Sequence, residues 1–326
     1  MLTRRTFIAS ASASFLAGPA FGQSYPTQTV RIICGFPPGG GIDISARLLV
    51  DPLKDALGQT VIVETRTGAA GQLAANTVAK APPDGHMLLM ATSGEIAIAP
   101  HLYKGKMSYD PSRELSPIAL VGVVPCVVVV AGTTPVHNPK ELIAYAKANA
   151  GKLSFSSSGV GNPQQLAGEL MNMMAGTNVL HVPYRGAAPA VTDVAAGAVT
   201  MSFASLAAAL PLIKAGKIRA VAVTSKDRMP QLPDVAPLSE GAPGLAGYEL
   251  LNWFGMFTTG GTPQAIVDRL NGIINGALKN PAISDKLIPQ GIVPRPMNAS
   301  EFKKFVAAET EKFGKIVQQA NIKVAN

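Results

Sequence analysis

The sequence predicts an α/β fold, and two observations carry that prediction. Short apolar runs alternate with segments of helical periodicity over most of the 326 residues, and a glycine-rich loop twice joins an apolar run to a helical one. Repeated β-α-β order argues for parallel pairing with helices on the sheet faces. In the first set, TVRIICGF (29–36) reads as a buried strand. The helix after it places Ile42, Ala46, Leu49 and Leu53 at helical spacing. Pro52 implies either a kink or a second helix start midway. VIVET (61–65) is the next strand, residues 69–81 form a helix closed by the turn PPDG, and HMLLMAT (86–92) is strand-like again.

A second set begins near Val123 with the strand VVPCVVVVAG. The helix over 138–151 has Asn138 as cap, Pro139 at its first position and Glu141 completing a capping box. Strand KLSFSSS, helix NPQQLAGELMNMM, strand LHVPY, helix APAVTDVAAG, strand VTMSFA, helix LAAALPLIKAG and strand IRAVAVTS follow in order. A Pro/Gly-rich passage (229–249) separates them from LLNWFGMFTT, a helix from Pro263 and a final helix over 300–320. The pattern allows one long sheet or two lobes. Two lobes would set GFPPGGG and SSSGVGNP on opposite walls of a cleft, because ligands collect beyond the carboxyl ends of parallel strands.

Composition narrows the function. At 47% hydrophobic and 15% charged the chain is of ordinary globular type. No internal stretch of about twenty apolar residues escapes Pro, Gly or charge, so no transmembrane helix is expected in the mature chain. Arg4 and Arg5 precede a short, weakly hydrophobic segment ending at Ala20. This fits a twin-arginine signal peptide over residues 1–22, cut before Gln23; a Sec signal with a fortuitous Arg pair is the alternative. Either exports the chain, to the periplasm. Loss of those two arginines takes the formal charge from +8 to +6, which favours anionic ligands at long range. No dense Lys/Arg run interleaved with aromatics is present, so nucleic acid is not an expected partner. Cys34 and Cys126 lie in apolar runs, where a small buried residue explains them better than a bridge.

The glycine loops carry the candidate site. In GFPPGGGID, Gly39, Gly40 and Gly41 expose backbone N–H groups at a helix start, an anion seat or else a plain tight turn. No Lys-Ser/Thr follows, so this is no Walker loop. Asp43, in the first helical turn, reads as a brace for the loop rather than a base. In FSSSGVGNPQQLAGE, Ser156, Ser157 and Ser158 supply hydroxyls, Gly159 and Gly161 allow close approach, and Asn162 with Gln165 fits a capping box. The nucleophile elbow Gly-x-Ser-x-Gly is absent. Thr92 and Ser93 end a strand, where ligands meet the sheet. The four histidines show no metal-ligand spacing, and His181 reads as a core residue.

Several ordered blocks together resemble the Bug family, the extracytoplasmic solute receptors of tripartite tricarboxylate transporters. They are YPTQTVRII, PPGGGIDISARLL, LGQTVIVETRTGAAG, KAPPDGHMLLMAT, APHLY, SSSGVGNPQQLAGEL, VPYRGAAPAVTDVAAGAV, AGKIRAVAVTSKDR and TPQAIVDRLN, from about Tyr25 to Ile322. The resemblance implies an α/β, two-lobed periplasmic-binding-protein fold (type II-like) with the ligand cleft between lobes, acting as a monomer. Lobe 1 would comprise 24–122 plus 226–326, and lobe 2 residues 123–225. It implies a small carboxylated solute handed to a membrane permease, with no catalysis, metal or cofactor. The carboxylate would be held largely by main-chain groups and ordered water. On one side these belong to Phe36, Pro38, Gly39, Gly40 and Asp43; on the other, to Ser157, Ser158, Gly159, Gly161 and Asn162. The loop carrying Tyr184, Gly186, Ala187 and Pro189 lies beside the second group, and Asp193 would be structural. Gln165 stands where the family often has His, Thr65 and Thr67 where it often has Asn and Pro, and Arg185 where Lys is usual. Gln165 borders the cleft, so it bears on which polar groups are read. An exported enzyme acting on a carboxylated substrate and a ligand-sensing partner of a sensor kinase are the alternatives.

Overall fold

The computed structural model describes residues 25–324; the expected signal peptide (1–22) lies outside them. Strand β1 (Val30–Cys34) is followed by α1 (Gly41–Leu48), α2 (Val50–Leu57), β2 (Val61–Thr65), α3 (Gln72–Ala79) and β3 (Met87–Thr92). β1 pairs in parallel with both β2 and β3, as the β-α-β-α-β order predicts. The first helix divides at Leu49, and Pro52 sits in the first turn of α2. Of the two readings of that proline, the structure takes the second helix start, where the missing N–H has no intrahelical role.

Past a π-helical turn (Gly94–Ile98), α4 (Ala99–Leu102) and α5 (Pro111–Glu114) lead into β4, which runs from Leu115 to Ala131. Next come α6 (Pro139–Ala148), β5 (Ser154–Ser157), α7 (Pro163–Ala175), β6 (Leu180–Pro183), α8 (Ala187–Ala195), β7 (Met201–Ser205), α9 (Leu206–Lys214) and β8 (Ile218–Val223). The chain closes with β9 (Leu251–Thr259), α10 (Gln264–Leu278), α11 (Pro281–Leu287), β10 (Val293–Pro294) and α12 (Ala299–Gln319). β5 pairs in parallel with β6 and β7.

Not all pairing is parallel. β9 runs antiparallel to β3 and β4, and β4 runs antiparallel to β7 and β8. The reason lies in β4 itself. Its 17 residues carry the chain out of one half of the molecule and into the other, so strands on the return path run against it. Leu115–Pro125 pairs with β9, and Cys126–Val130 with β7. The path β2-β1-β3-β9-β4-β7-β5-β6 is continuous, yet it divides at Pro125–Cys126 into one sheet per lobe.

Each sheet is covered on both faces, so its strands are apolar on both sides. In the first lobe Ile32 and Leu88 face the α1, α2 and α10 side, whereas Ile33 and Leu89 pack toward α3 and α12. In the second, Val128 and Val130 pack with α6 and α7, and Val127 and Val129 with α8 and α9. Thr224 fastens the two crossings between lobes. Its Oγ1 accepts the Cys126 N–H (2.8 Å), its N–H donates to the Cys126 carbonyl, and its carbonyl accepts the Leu250 N–H. The Pro/Gly-rich passage packs on the second lobe: the Tyr248 hydroxyl donates to the Ala167 carbonyl (2.8 Å), and Gly241 lies against Pro139 and Ile143 of α6. Cys34 and Cys126 are free and buried, and burial pushes both thiols up to about 12. Among the described residues, no helix is long and apolar enough to cross a membrane.

Candidate ligand site between the lobes

A cavity of about 250 Å³ opens between the lobes, with Val124, Pro125 and Cys126 of the crossing strand in its lining. The first lobe contributes Phe36, Ala70, Gln72, Thr92, Gly94, Ala99, Leu102 and Tyr103. The second contributes Ser158 and Val160 to Gln164, and Ser205 and Asn252 complete the wall. The chemistry of this lining is uniform: amides, hydroxyls and apolar groups, with no Asp, Glu, Lys, Arg or His among the described residues that form it. A wider groove of about 750 Å³ lies on the first lobe between α5 and α12, beside the start of β4.

The second-lobe loop is built by its own side chains. The Ser158 N–H donates to Gln164 Oε1 (2.8 Å), and the Gly161 N–H donates to Gln165 Oε1 (2.7 Å). Asn162 donates through Nδ2 to Ser158 Oγ (2.8 Å) and accepts the Gln165 N–H at Oδ1 (2.9 Å), capping α7. Two main-chain donors expected to meet a ligand thus have internal acceptors. Ser157 is fully buried behind them, its hydroxyl held by the Gly159 carbonyl (2.8 Å) and His181 Nε2 (2.7 Å). Burial lowers the His181 imidazole to about 4, and its ring packs on Phe155 at 5.0 Å; it is a core histidine. Gly161, at φ 73°, meets the opposite lobe directly: a Cβ there would lie 2.3 Å from Leu102 Cδ1.

The loop of Tyr184, Gly186, Ala187 and Pro189 backs this motif and lies outside the lining. Its Tyr184 and Gly186 N–H groups donate to the Ser157 and Ser158 carbonyls (3.0 and 3.3 Å). The Tyr184 hydroxyl donates to Asp193 Oδ2 (2.6 Å), which gives Asp193 a structural partner.

Of the first glycine loop, only Phe36 lines the cavity; Pro38, Gly39 and Gly40 are exposed. The glycines differ in their reasons. Gly39 has φ 84°, Gly41 would strike the Phe254 ring at 2.9 Å, and Gly40 has room, its nearest neighbour being 3.6 Å away. Gly40 is the extended N-cap of α1, at φ −79°. Asp43 is buried and accepts the Gly39 N–H (3.0 Å) and the Arg47 Nε–H (2.9 Å). Arg47 first, and the Gly39 N–H as well, hold its carboxyl below the usual range. It braces the loop.

At the end of β3, Thr92 lines the cavity while Ser93 is fully buried, its hydroxyl donating to Asn252 Oδ1 (2.8 Å). Behind Thr92 sits Glu95, 1% exposed. Sequence reasoning missed Glu95, and also Ala70, Gln72, Leu102, Tyr103, Gln164, Ser205 and Asn252. Gln164 adjoins a motif already singled out. Ala70 lies in a loop where Ala69 and Ala70 both adopt positive φ (46° and 52°), strain of the kind that gathers at binding sites; Ala-Ala between glycines gives no sign of it.

Two lobes, a shared strand and a cavity at the carboxyl ends of β3 and β5 define a solute-binding protein. A family model described as "Tripartite tricarboxylate transporter family receptor" matches residues 45–322. Protein BugT of Bordetella pertussis is 31% identical over 318 residues, covering 98% of this chain and 96% of its own length. An R. palustris protein solved with adipate is 33% identical with TM-score 0.78, over 92% of this chain and 99% of that one. MatC of Rhodopseudomonas palustris, solved with bound malate, is 29% identical with TM-score 0.73, over 90% of this chain and 100% of that one. The chain belongs to this receptor family, the Bug proteins.

Proposed function

We propose that the protein is a periplasmic receptor that captures a small organic carboxylate between its lobes and delivers it to the permease of a tripartite tricarboxylate transporter. The uncharged, donor-bearing lining of the cavity is the observation that carries this reading. A carboxylate taken from water needs hydrogen-bond donors, and no acidic side chain in the lining repels it. Gln72, Asn162, Gln164 and Asn252 offer amides, and Tyr103, Ser158 and Ser205 offer hydroxyls. The ligand-bearing relatives, with adipate and malate, support the solute class.

The first glycine loop takes part on closure: Pro38, Gly39 and Gly40 meet the ligand when the lobes approach, joining Phe36, while Ser157, Gly159 and Gln165 hold the opposite loop in shape. The moving bodies divide at Pro125–Cys126 and Thr224–Leu251. Residues 226–250 then travel with the second lobe, through α6 and α7, and not with the first as the sequence suggests. The receptor acts as a monomer.

Thermal denaturation with adipate, malate, a tricarboxylate and an amino acid tests the reading. At about 100 times Kd a true ligand stabilises the native form by about 2.7 kcal/mol. At least one acid is expected to raise Tm; a flat response to every acid overturns the proposal.

A further inference from the structure

Glu95 is a buried carboxylate, 1% exposed, placed directly behind the cavity wall. Its Oε1 accepts the Thr92 N–H (2.7 Å), and its Oε2 accepts the Thr92 hydroxyl proton. The Thr92 Oγ1 in turn accepts the Gly94 N–H (3.0 Å). Thr92 lines the cavity, yet its single hydroxyl proton is committed to the wall. Toward the cavity it has only lone pairs to offer, the wrong polarity for an anion. The wall is also thin. A Cβ on Gly71 would lie 3.0 Å from the Phe36 ring and 3.1 Å from the Glu95 carboxyl carbon, so no side chain separates Glu95 from the cavity residue Phe36.

No cation compensates this carboxylate among the described residues. β3, α3 and the 69–71 turn carry no charged residue. On α4, His101 is engaged with the Thr310 carbonyl (2.8 Å). The Tyr109 hydroxyl donates to the Glu95 main-chain carbonyl (2.7 Å), not to its carboxylate. On α12, Lys312 pairs with Glu309 and Lys315 with Glu311, and Lys303 and Lys304 are exposed. Burial raises the Glu95 carboxyl to about 7, against the pull of the Thr92 hydrogen bonds.

Resting on the receptor reading above, we propose that Glu95 is a proton-linked positioning residue that takes up one proton from solvent as an anionic ligand settles against Thr92. The protonated carboxyl donates its O–H to Thr92 Oγ1, and the Thr92 hydroxyl proton turns into the cavity to the ligand carboxylate. One proton moves from water to Glu95; no other bond changes. Ligand charge and Glu95 charge cannot be buried side by side at low cost, so the two equilibria are linked. Carboxylate capture therefore weakens as pH rises above about 7.

Calorimetry with adipate and with malate tests this on the unaltered chain. Both acids are fully ionised from pH 6.5 upward, so they contribute no proton of their own. Titrations at pH 8 in buffers of different ionisation enthalpy are expected to show uptake approaching one proton per ligand. Affinity is expected to fall by up to about tenfold per pH unit between the free and ligand-bound titration points of Glu95. Glu95→Gln, whose amide N–H replaces the carboxylic O–H, is expected to bind with no proton uptake and no pH dependence, near the low-pH affinity of the wild type. Binding by wild type with no uptake and constant affinity from pH 6.5 to 8.5 overturns this proposal alone. Uptake that survives in Glu95→Gln does the same. No binding of any acid by the wild type overturns the receptor reading and this proposal with it.

Discussion

Asp43 shows what a single side chain contributes to the site. It holds the Gly39 N–H and the Arg47 side chain together at the start of α1, so Asp43→Ala is expected to cost about 1 kcal/mol, as loss of a helix-end brace does. The pH dependence follows from the sign of its shift. The folded carboxyl lies below its ordinary value, chiefly through Arg47, so its contribution is complete above an unfolded pKa of about 3.9 and lost as pH falls through the folded value. Thermal melts of wild type and Asp43→Ala should differ at pH 7 and converge as the pH is lowered below about 4; a gap that persists unchanged in acid would refute the brace. Gly161 gives a second test. A side chain at φ 73° meets both backbone strain and Leu102, and the strain alone is worth about 1–2 kcal/mol. Gly161→Ala should therefore lower stability and weaken carboxylate binding, and adding Leu102→Ala should recover only the steric part. The serine-glycine loop was legible in part because caps and turns depend on local chemistry: Asn162 caps the Gln165 N–H as the predicted box requires, but Gln165 Oε1 returns to the Gly161 N–H and not to that of Asn162. The site residues Asn252 and Gln72 were not, because nothing beside them in the chain marks a position that only the fold brings to the cavity. The separate reasons for the three glycines were not legible, since sequence cannot distinguish Gly40, which has room, from Gly39 and Gly41, whose reasons are conformational and steric.

At the scale of elements, the crossing strand and its staple hold the argument. Thr224 is fully buried and satisfies the Cys126 N–H through a side-chain oxygen. Thr224→Val keeps the shape and removes the acceptor, leaving a buried donor unpaired at a cost of about 1–3 kcal/mol. Thermal or denaturant unfolding of the variant should show that loss; no change would mean that the Cys126 N–H finds another partner. Periodicity made most strands and helices readable, because each packs one or both faces against a neighbour and spacing records that packing. β4 was legible only from Val123 onward. Its first half contains Pro117, beside a register shift in the β9 pairing, and a proline at an irregular pairing disguises a strand. Strand direction was also out of reach for β4 and β9. Local sequence favours a strand, whereas its sense follows from where the chain must go next, and only the whole path sets that.

For the whole molecule, the proposed hinge lies where the sheet divides, at Pro125–Cys126. The chain leaves the first lobe along β4 and returns through Thr224 and Leu251, so two adjacent strands carry both connections. One face of each sheet buries a core of its own. The other faces share one continuous core that includes Phe302 and Phe313 of α12 and Leu166 and Met171 of α7, so motion about the connections must slide α12 past α7. The cavity between the lobes is lined from both sides and by Val124, Pro125 and Cys126 of the crossing strand, so closure about the proposed hinge would narrow it. A compact chain of roughly 300 residues has a radius of gyration near 19 Å, and a parted two-lobed molecule exceeds that value. Small-angle scattering of the mature chain, free and saturated with whichever acid calorimetry shows to bind, should report a fall toward it. Thr224→Val, with a looser hinge, should start from a larger free radius and reach the same bound one. A radius that stays constant while calorimetry records binding would mean that the lobes are already fixed around the cavity, with entry through a side chain such as Leu102 or Gln164 instead of a hinge.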